Sequence, residues 1–160
     1  MEISVKNKKI IEIIDEVLNK INQPGLLFNL NFKIQNLVYS RDGEYLIIEM
    51  KKRKSVFVRF YLYDGDLRID IEDLEELFDF SFEEINKERE KVKKIIWMIF
   101  VSMVLYQKIS NSCIKMHFIF NNIIETYTYQ KTLFNFIIGC KTEEKLYMPM
   151  FEIIPTLKYF

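Results

Sequence analysis

The residues from Ser55 to Ile71 constrain the fold more than any other stretch. Ser55 to Tyr63 (SVFVRFYLY) is rich in β-branched and aromatic side chains, Asp64-Gly65 interrupts it, and Leu67, Ile69 and Ile71 follow at every second position. Branched and aromatic side chains suit the pleated surface of a strand, and Asp-Gly tolerates the positive φ that a tight antiparallel turn demands. The segment is therefore expected to be a hairpin. Upstream, Phe28, Leu30, Phe32 and Ile34 alternate with Asn29, Asn31, Lys33 and Gln35, the period of a half-buried strand. Asp42-Gly43 supplies a further turn before a strand from Tyr45 to Met50, completing a four-strand antiparallel meander.

Helical spacing frames this meander. Ile10, Ile14, Val17 and Ile21, widened by Ile13 and Leu18, form the apolar stripe of an amphipathic helix that stops at Pro24-Gly25. Ile71, Leu74 and Phe78 also sit at helical intervals, predicting a short helix with an acidic outer face. Ser81 with Glu84 makes a capping box, from which a helix is expected to run to about Ile109. Its second half is apolar all round and must be covered on more than one side. Beyond it, Cys113 to Phe120, Ile123 to Gln130, Thr132 to Ile138 and Leu146 to Ile154 read as strands, with Asn121-Asn122 as a turn. Pro149 lacks a ladder donor, which places the last strand at an edge. The expected fold is α+β: antiparallel sheets packed on a long central helix, with an N-terminal amphipathic helix.

Length and composition fit one domain over residues 1–160, since the four glycines and three prolines never cluster into a linker. Cys113 and Cys140, with no secretory segment ahead of Met1, suggest a reducing, cytoplasmic setting. The apolar run Ile95 to Tyr106 (IIWMIFVSMVLY) has 12 residues, whereas a spanning helix needs about 20. It is read as a core helix, and no membrane association is expected.

The residues offer little catalytic apparatus. His117 is the only histidine, on one side of a strand with Cys113 and Lys115, so a two-histidine metal site is excluded. Every glycine falls at an expected turn, leaving no phosphate-cradling loop, and no cofactor or metal is expected. One pattern resembles restriction-endonuclease-like nucleases: Asp42, then Glu49-Met50-Lys51, the Asp…Glu-x-Lys arrangement in which two carboxylates hold a divalent cation and a lysine positions water. The hairpin turn already accounts for Asp42, and the basic tip Lys51, Lys52, Arg53 and Lys54 accounts for Lys51. That tip lies near Phe57, Tyr61 and Tyr63, but a pI near 6.6 and the adjoining acids argue against a nucleic-acid footprint. A non-catalytic role is expected.

The acids carry the sharper signal. Ten of the 23 acidic residues fall between Asp64 and Glu84, where Arg68 is the only base, so a formally neutral chain concentrates its field in one place. Six of them, Asp70, Glu72, Asp73, Glu75, Glu76 and Asp79, are expected to share a helix and its flanking turn and to meet a basic protein partner. A solvated outer face is the plainer account of the same residues.

A strand after a long helix, then Asn121 to Gln130, and Phe136-Ile137-Ile138-Gly139-Cys140 ahead of Leu146-Tyr147-Met148-Pro149, is similar to the endings of immunity proteins that bacteria encode beside polymorphic or contact-dependent toxins. The resemblance implies a protein that neutralises a cognate toxin, a nuclease among the possibilities, by covering its active site or an exosite. It carries no residue over, because such proteins share no common fold. The order of elements also resembles the class I chaperones of type III secretion, which are acidic homodimers. It departs from them at Leu146 to Phe160, where strand and coil with Pro149 and Pro155 stand in place of that family's closing helix.

Overall fold

The computed structural model describes residues 3–23, 34–40, 43–110, 113–130 and 142–152. In chain order the elements are α1 (Val5–Lys20), β1 (Ile34–Ser40), β2 (Gly43–Met50), β3 (Val58–Tyr63), β4 (Asp66–Ile71), β5 (Leu74–Phe80), α2 (Phe82–Lys87), α3 (Arg89–Val101), β6 (Met103–Ser110), β7 (Cys113–Phe120), β8 (Ile123–Gln130) and β9 (Glu143–Tyr147). They fall into two compact units, one of Met1–Lys52 with Phe57–Trp97 and one of Arg53–Val56 with Met98–Phe160. The class is α+β with two antiparallel sheets.

In the first unit β1 to β5 follow one another in chain order as a five-stranded meander, every neighbour antiparallel. Inward positions alternate along the strands: Leu46, Ile48 and Met50, then Val58, Phe60 and Leu62, then Leu67, Ile69 and Ile71 are all buried. The helix α1 packs on β3 and brings Ile10, Ile13, Ile14, Val17 and Leu18 into the same core. Both its ends are closed. Ser4 Oγ accepts from the Asn7 amide at 3.1 Å. At the other end Asn22 takes φ 57°, and the Gln23 amide reaches back to the Leu18 carbonyl at 2.8 Å, a Schellman closure.

Gly65 locks this helix to the sheet. It follows Asp64 in a turn where both residues have positive φ, 45° and 94°, as a tight type I′ hairpin requires. The buried Asn7 side chain accepts from the Gly65 amide at 2.9 Å, and Lys6 pairs with Asp64 at 2.9 Å. A Cβ on Gly65 would lie 2.7 Å from both Lys6 Cβ and Phe82 Cδ2, so only glycine fits. Farther along α1, Glu16 accepts from Arg89 and from Lys93. Partial burial pushes the Glu16 carboxyl up, but its bonds and charge pairing with Arg89 and Lys93 outweigh that and hold it below the ordinary glutamate range.

In the second unit the order is β8-β7-β6-β9, again all antiparallel. Asn121 and Asn122, with φ 46° and 67°, make the turn between β7 and β8. Val104, Tyr106, Ile114, Met116 and Phe118 are buried on one face. Phe100, fully buried, meets Phe151 edge to face at 5.6 Å, and the Phe151 amide donates to the Phe100 carbonyl at 2.9 Å. The Met148 amide donates to the Lys54 carbonyl at 2.8 Å, tying the segment Arg53–Val56 to the end of β9.

Several expectations are corrected. The long central helix from Ser81 to Ile109 is absent. Its capping box is present, with Ser81 Oγ and the Glu84 side chain each satisfying the other's amide. However, α2 ends at Lys87, Glu88 departs to φ −120° and ψ 37°, and α3 stops at Val101. An apolar run carries no period that separates helix from strand. From Met103 onward the chain pairs with β7 on one side and β9 on the other, burying Val104 and Tyr106 at period two. The acidic segment is likewise strand β5, not helix. The last strand runs Glu143–Tyr147 rather than Leu146 to Ile154, because beyond it the Met148 amide turns to Lys54 and Pro149 has no amide hydrogen. It does lie at an edge among the described residues. Of the strand expected from Phe28 to Gln35, Ile34 and Gln35 open β1 and the rest lies outside the described residues, as do the expected strand Thr132 to Ile138 and the turn residue Asp42. No helix among those described is long and apolar enough to cross a membrane.

Two outcomes follow from this packing. Phe100→Ala should lower unfolding stability by about 3–5 kcal/mol in urea melts, as a filled core site with an aromatic neighbour. Because the folded Glu16 carboxyl is depressed, its stabilisation is present above the ordinary glutamate range and is lost as pH falls through the lowered folded value. Glu16→Gln should therefore flatten the acid limb of a stability-against-pH curve while leaving its shape above pH ~6 unchanged.

Candidate functional site

The second face of the five-stranded sheet is polar and aromatic. Along β3, Arg59, Tyr61 and Tyr63 are half-buried between the core positions, and along β4 the same face carries Asp66, exposed, Arg68, half-buried, and Asp70, buried. Register lines them up in rows: Arg59 opposite Asp70, Tyr61 opposite Arg68, Tyr63 opposite Asp66, and Arg68 opposite Asp79 of β5.

Asp70 organises this face. It is only 1% exposed, and Arg68 grips it with Nε at 2.9 Å and Nη2 at 3.3 Å. The Glu76 amide donates to the same carboxylate at 2.8 Å. The third guanidinium nitrogen of Arg68 reaches Glu76 Oε1 at 2.9 Å, and its Cζ lies 5.1 Å from the Tyr61 ring centroid. Hydrogen bonding to Asp70 holds the Arg68 guanidinium above its already high range, against partial burial. Asp70 also shapes β5. Ile69 pairs with Phe78 and Ile71 with Leu74, so Glu75, Glu76 and Leu77 stand opposite Asp70 alone. Glu76, at φ 55°, carries this bulge and swings outward to 62% exposure. Leu74 and Phe78 remain buried four positions apart, which is why the sequence imitates a helix.

The turn ahead of β5 is equally tied. Glu72, at φ 56°, donates its amide to the Phe57 carbonyl at 2.8 Å and accepts the Phe57 amide on its side chain at 2.6 Å. Its own carbonyl accepts from Arg59 Nη2 at 3.2 Å. Arg59 lies over the Phe57 ring at 5.3 Å, and Lys51 approaches the same ring at 5.7 Å.

The six acids expected to form one outer surface thus divide. Asp70 is interior and binds Arg68, Glu72 clamps the turn, and Glu76 is exposed but paired with Arg68. Asp73, Glu75 and Asp79 are exposed on the turn and the sheet's terminal strand. The sequence assigns no site role to Arg59 or Arg68 and sets Tyr61 and Tyr63 only beside the basic tip; the signal for Arg68 is its position as the lone base among ten acids. A hollow of about 170 Å³ opens here, lined by Tyr61, Tyr63, Asp66, Arg68 and Asp79. Asp66 Oδ1 also accepts from the Phe82 amide at 2.7 Å, starting α2 at its rim.

Glu49 of the nuclease-like pattern sits opposite Arg59, and Asp42 lies outside the described residues. Among those described, no group of three or more His, Cys, Asp or Glu is placed to hold a metal. His117 belongs to a chain across all four strands of the second sheet. Gln107 donates to Glu144 at 2.7 Å, His117 Nε2 meets Gln107 Oε1 at 2.8 Å, and His117 Nδ1 meets Thr126 Oγ1 at 2.8 Å. With the Gln107 amide so assigned, Nε2 carries the proton and Nδ1 accepts from Thr126 in the neutral imidazole. Nearby, burial and the Glu125 carboxylate push the Tyr127 phenol up to about 12. Cys113 is a half-buried free thiol, and Cys140 lies outside the described residues.

No protein-family model, curated protein or solved structure matches the chain.

The division among the acids is measurable. Asp70→Ala removes two of the acceptors of the Arg68 guanidinium and the acceptor of the Glu76 amide, and should cost about 1–3 kcal/mol in denaturant unfolding. Glu75→Ala should stay within about 0.5 kcal/mol of the parent, as an exposed substitution.

Proposed function

We propose that this is a non-catalytic binding protein that captures a basic protein partner on the β4–β5 hairpin, acting in the cytoplasm as an immunity protein acts on its cognate toxin. The observation that carries the reading is the placement of Asp73, Glu75, Glu76 and Asp79, exposed on the turn and the last strand of a sheet whose shape is fixed from beneath by Asp70. A rigid support matters because a charged surface held in place loses little entropy when a partner docks. Complementary charge then raises the rate of encounter. The hairpin's acids repel phosphate, so nucleic acid is not the proposed partner.

The rival readings are a secretion chaperone and a nuclease built on Asp42, Glu49 and Lys51. Co-purification with the product of the neighbouring reading frame separates them: a large toxin with a variable C-terminal domain supports the proposal, and a secreted effector supports the chaperone. Metal-dependent cleavage of DNA abolished by Glu49→Ala supports the nuclease. Given a captured partner, reversing Asp73 and Glu75 to Lys should weaken binding at least tenfold and remove most of the salt dependence of the on-rate, with the melting curve intact. Reversing Lys52 and Arg53 to Glu is the control and should change affinity less than threefold. Full affinity in the Asp73/Glu75 variant would overturn the hairpin as the interface.

A further inference from the structure

We propose that the hollow between Tyr61, Tyr63, Asp66, Arg68 and Asp79 is a socket for a single arginine side chain of the basic partner, an inference that rests on the binding role above. Its size sets the class of occupant. At about 170 Å³ it is smaller than the roughly 300–1,000 Å³ of sites that enclose nucleotides and other whole small molecules. One long side chain entering from a docked surface is in scale.

The walls set the charge and shape of that side chain. Two tyrosines and two carboxylates, Asp66 and Asp79, stand on the same lining; Tyr61 already carries Arg68 over its ring and accepts from Arg59 Nη1 at 3.2 Å. The one base there, Arg68, is already gripped by Asp70 and Glu76, so its charge is met from below and from the side. Counting those partners, four carboxylates surround one guanidinium. An anion is repelled and a cation is drawn in. Asp66 uses one oxygen on the Phe82 amide, and a carboxylate has further acceptor sites in reserve.

Between the two cationic side chains, guanidinium fits better. It is planar, stacks on tyrosine, and meets carboxylates with two parallel N–H donors, whereas ammonium is a compact and strongly hydrated point charge. Arg68 lying over Tyr61 at 5.1 Å already shows the contact that these rings accept. The register that sets Asp79 opposite Arg68 places the hollow beside the terminal strand β5, the strand that also carries Glu75.

The test uses the full chain and the peptide acetyl-Gly-Arg-Gly-amide, followed by NMR at the Tyr61 and Tyr63 rings. Saturable shifts are expected with an affinity on the order of millimolar for so small a probe. The lysine peptide should bind at least threefold more weakly, the neutral citrulline peptide should give no shift, and Asp79→Asn should weaken the arginine peptide at least threefold. Asp73→Lys with Glu75→Lys, which do not line the hollow, should leave peptide binding within twofold. Equal binding of the lysine peptide, or an unaltered titration in Asp79→Asn, overturns the socket. A flat arginine titration, in a protein whose partner capture is lost on reversing Asp73 and Glu75, overturns the socket and leaves the hairpin reading standing. Peptide binding at the tyrosines, with capture unaffected by that reversal, overturns the hairpin reading and keeps the socket.

Discussion

Asp70 lies on a strand face turned away from the core, yet almost none of it touches water, and the form of the acidic hairpin follows from what encloses it. A buried carboxylate needs donors on both oxygens. Arg68 supplies two and the Glu76 amide a third. To deliver that amide, β5 must bulge, and the bulge turns Glu76 away from the core and leaves Leu74 and Phe78 inside it. The exposed charges on the hairpin thus keep their positions because one charge beneath them is hidden.

A second constraint acts at the opposite end of the same strands. The Asp64-Gly65 turn, the start of α1 and the start of α2 meet around a backbone with no room for a Cβ. Lys6 and Lys9 both lie within 5.5 Å of the Phe82 ring centroid, and Asp66 caps the Phe82 amide. The β3–β4 pair is consequently held at both ends, by this junction and by the clamp between Glu72 and Phe57. The aromatic and charged face between them rests on a stiff pair of strands.

How far the sequence discloses this depends on whether a signal is local. The strands β2, β3, β4, β7 and β8, the Asp64-Gly65 and Asn121-Asn122 turns, the stripe of α1 and the Ser81 capping box all follow from neighbouring residues, and all are legible. The strand β5 is not, because a bulge spaces Leu74 and Phe78 as a helix would. Nor is the change from α3 to β6, where Ile95 to Tyr106 is apolar but for Ser102 and only pairing with β7 and β9 decides. For the site, clustering of acids is visible in the chain. That Asp70 is enclosed and Glu72 tied to the main chain is not, since it depends on an arginine two residues away in one case and on a backbone fifteen residues away in the other.

The short strap Arg53–Val56 gives the chain a connectivity with its own consequence. It lies in sequence between β2 and β3 of the first unit but belongs to the second, where Lys54 receives the Met148 amide and Val56 is 1% exposed. No single cut in the polypeptide separates the two units intact. A fragment ending at Trp97 carries away four residues that complete the other unit, and a fragment beginning at Met98 leaves them behind. An exchange of one unit for a foreign sequence would have to bring a matching strap with it.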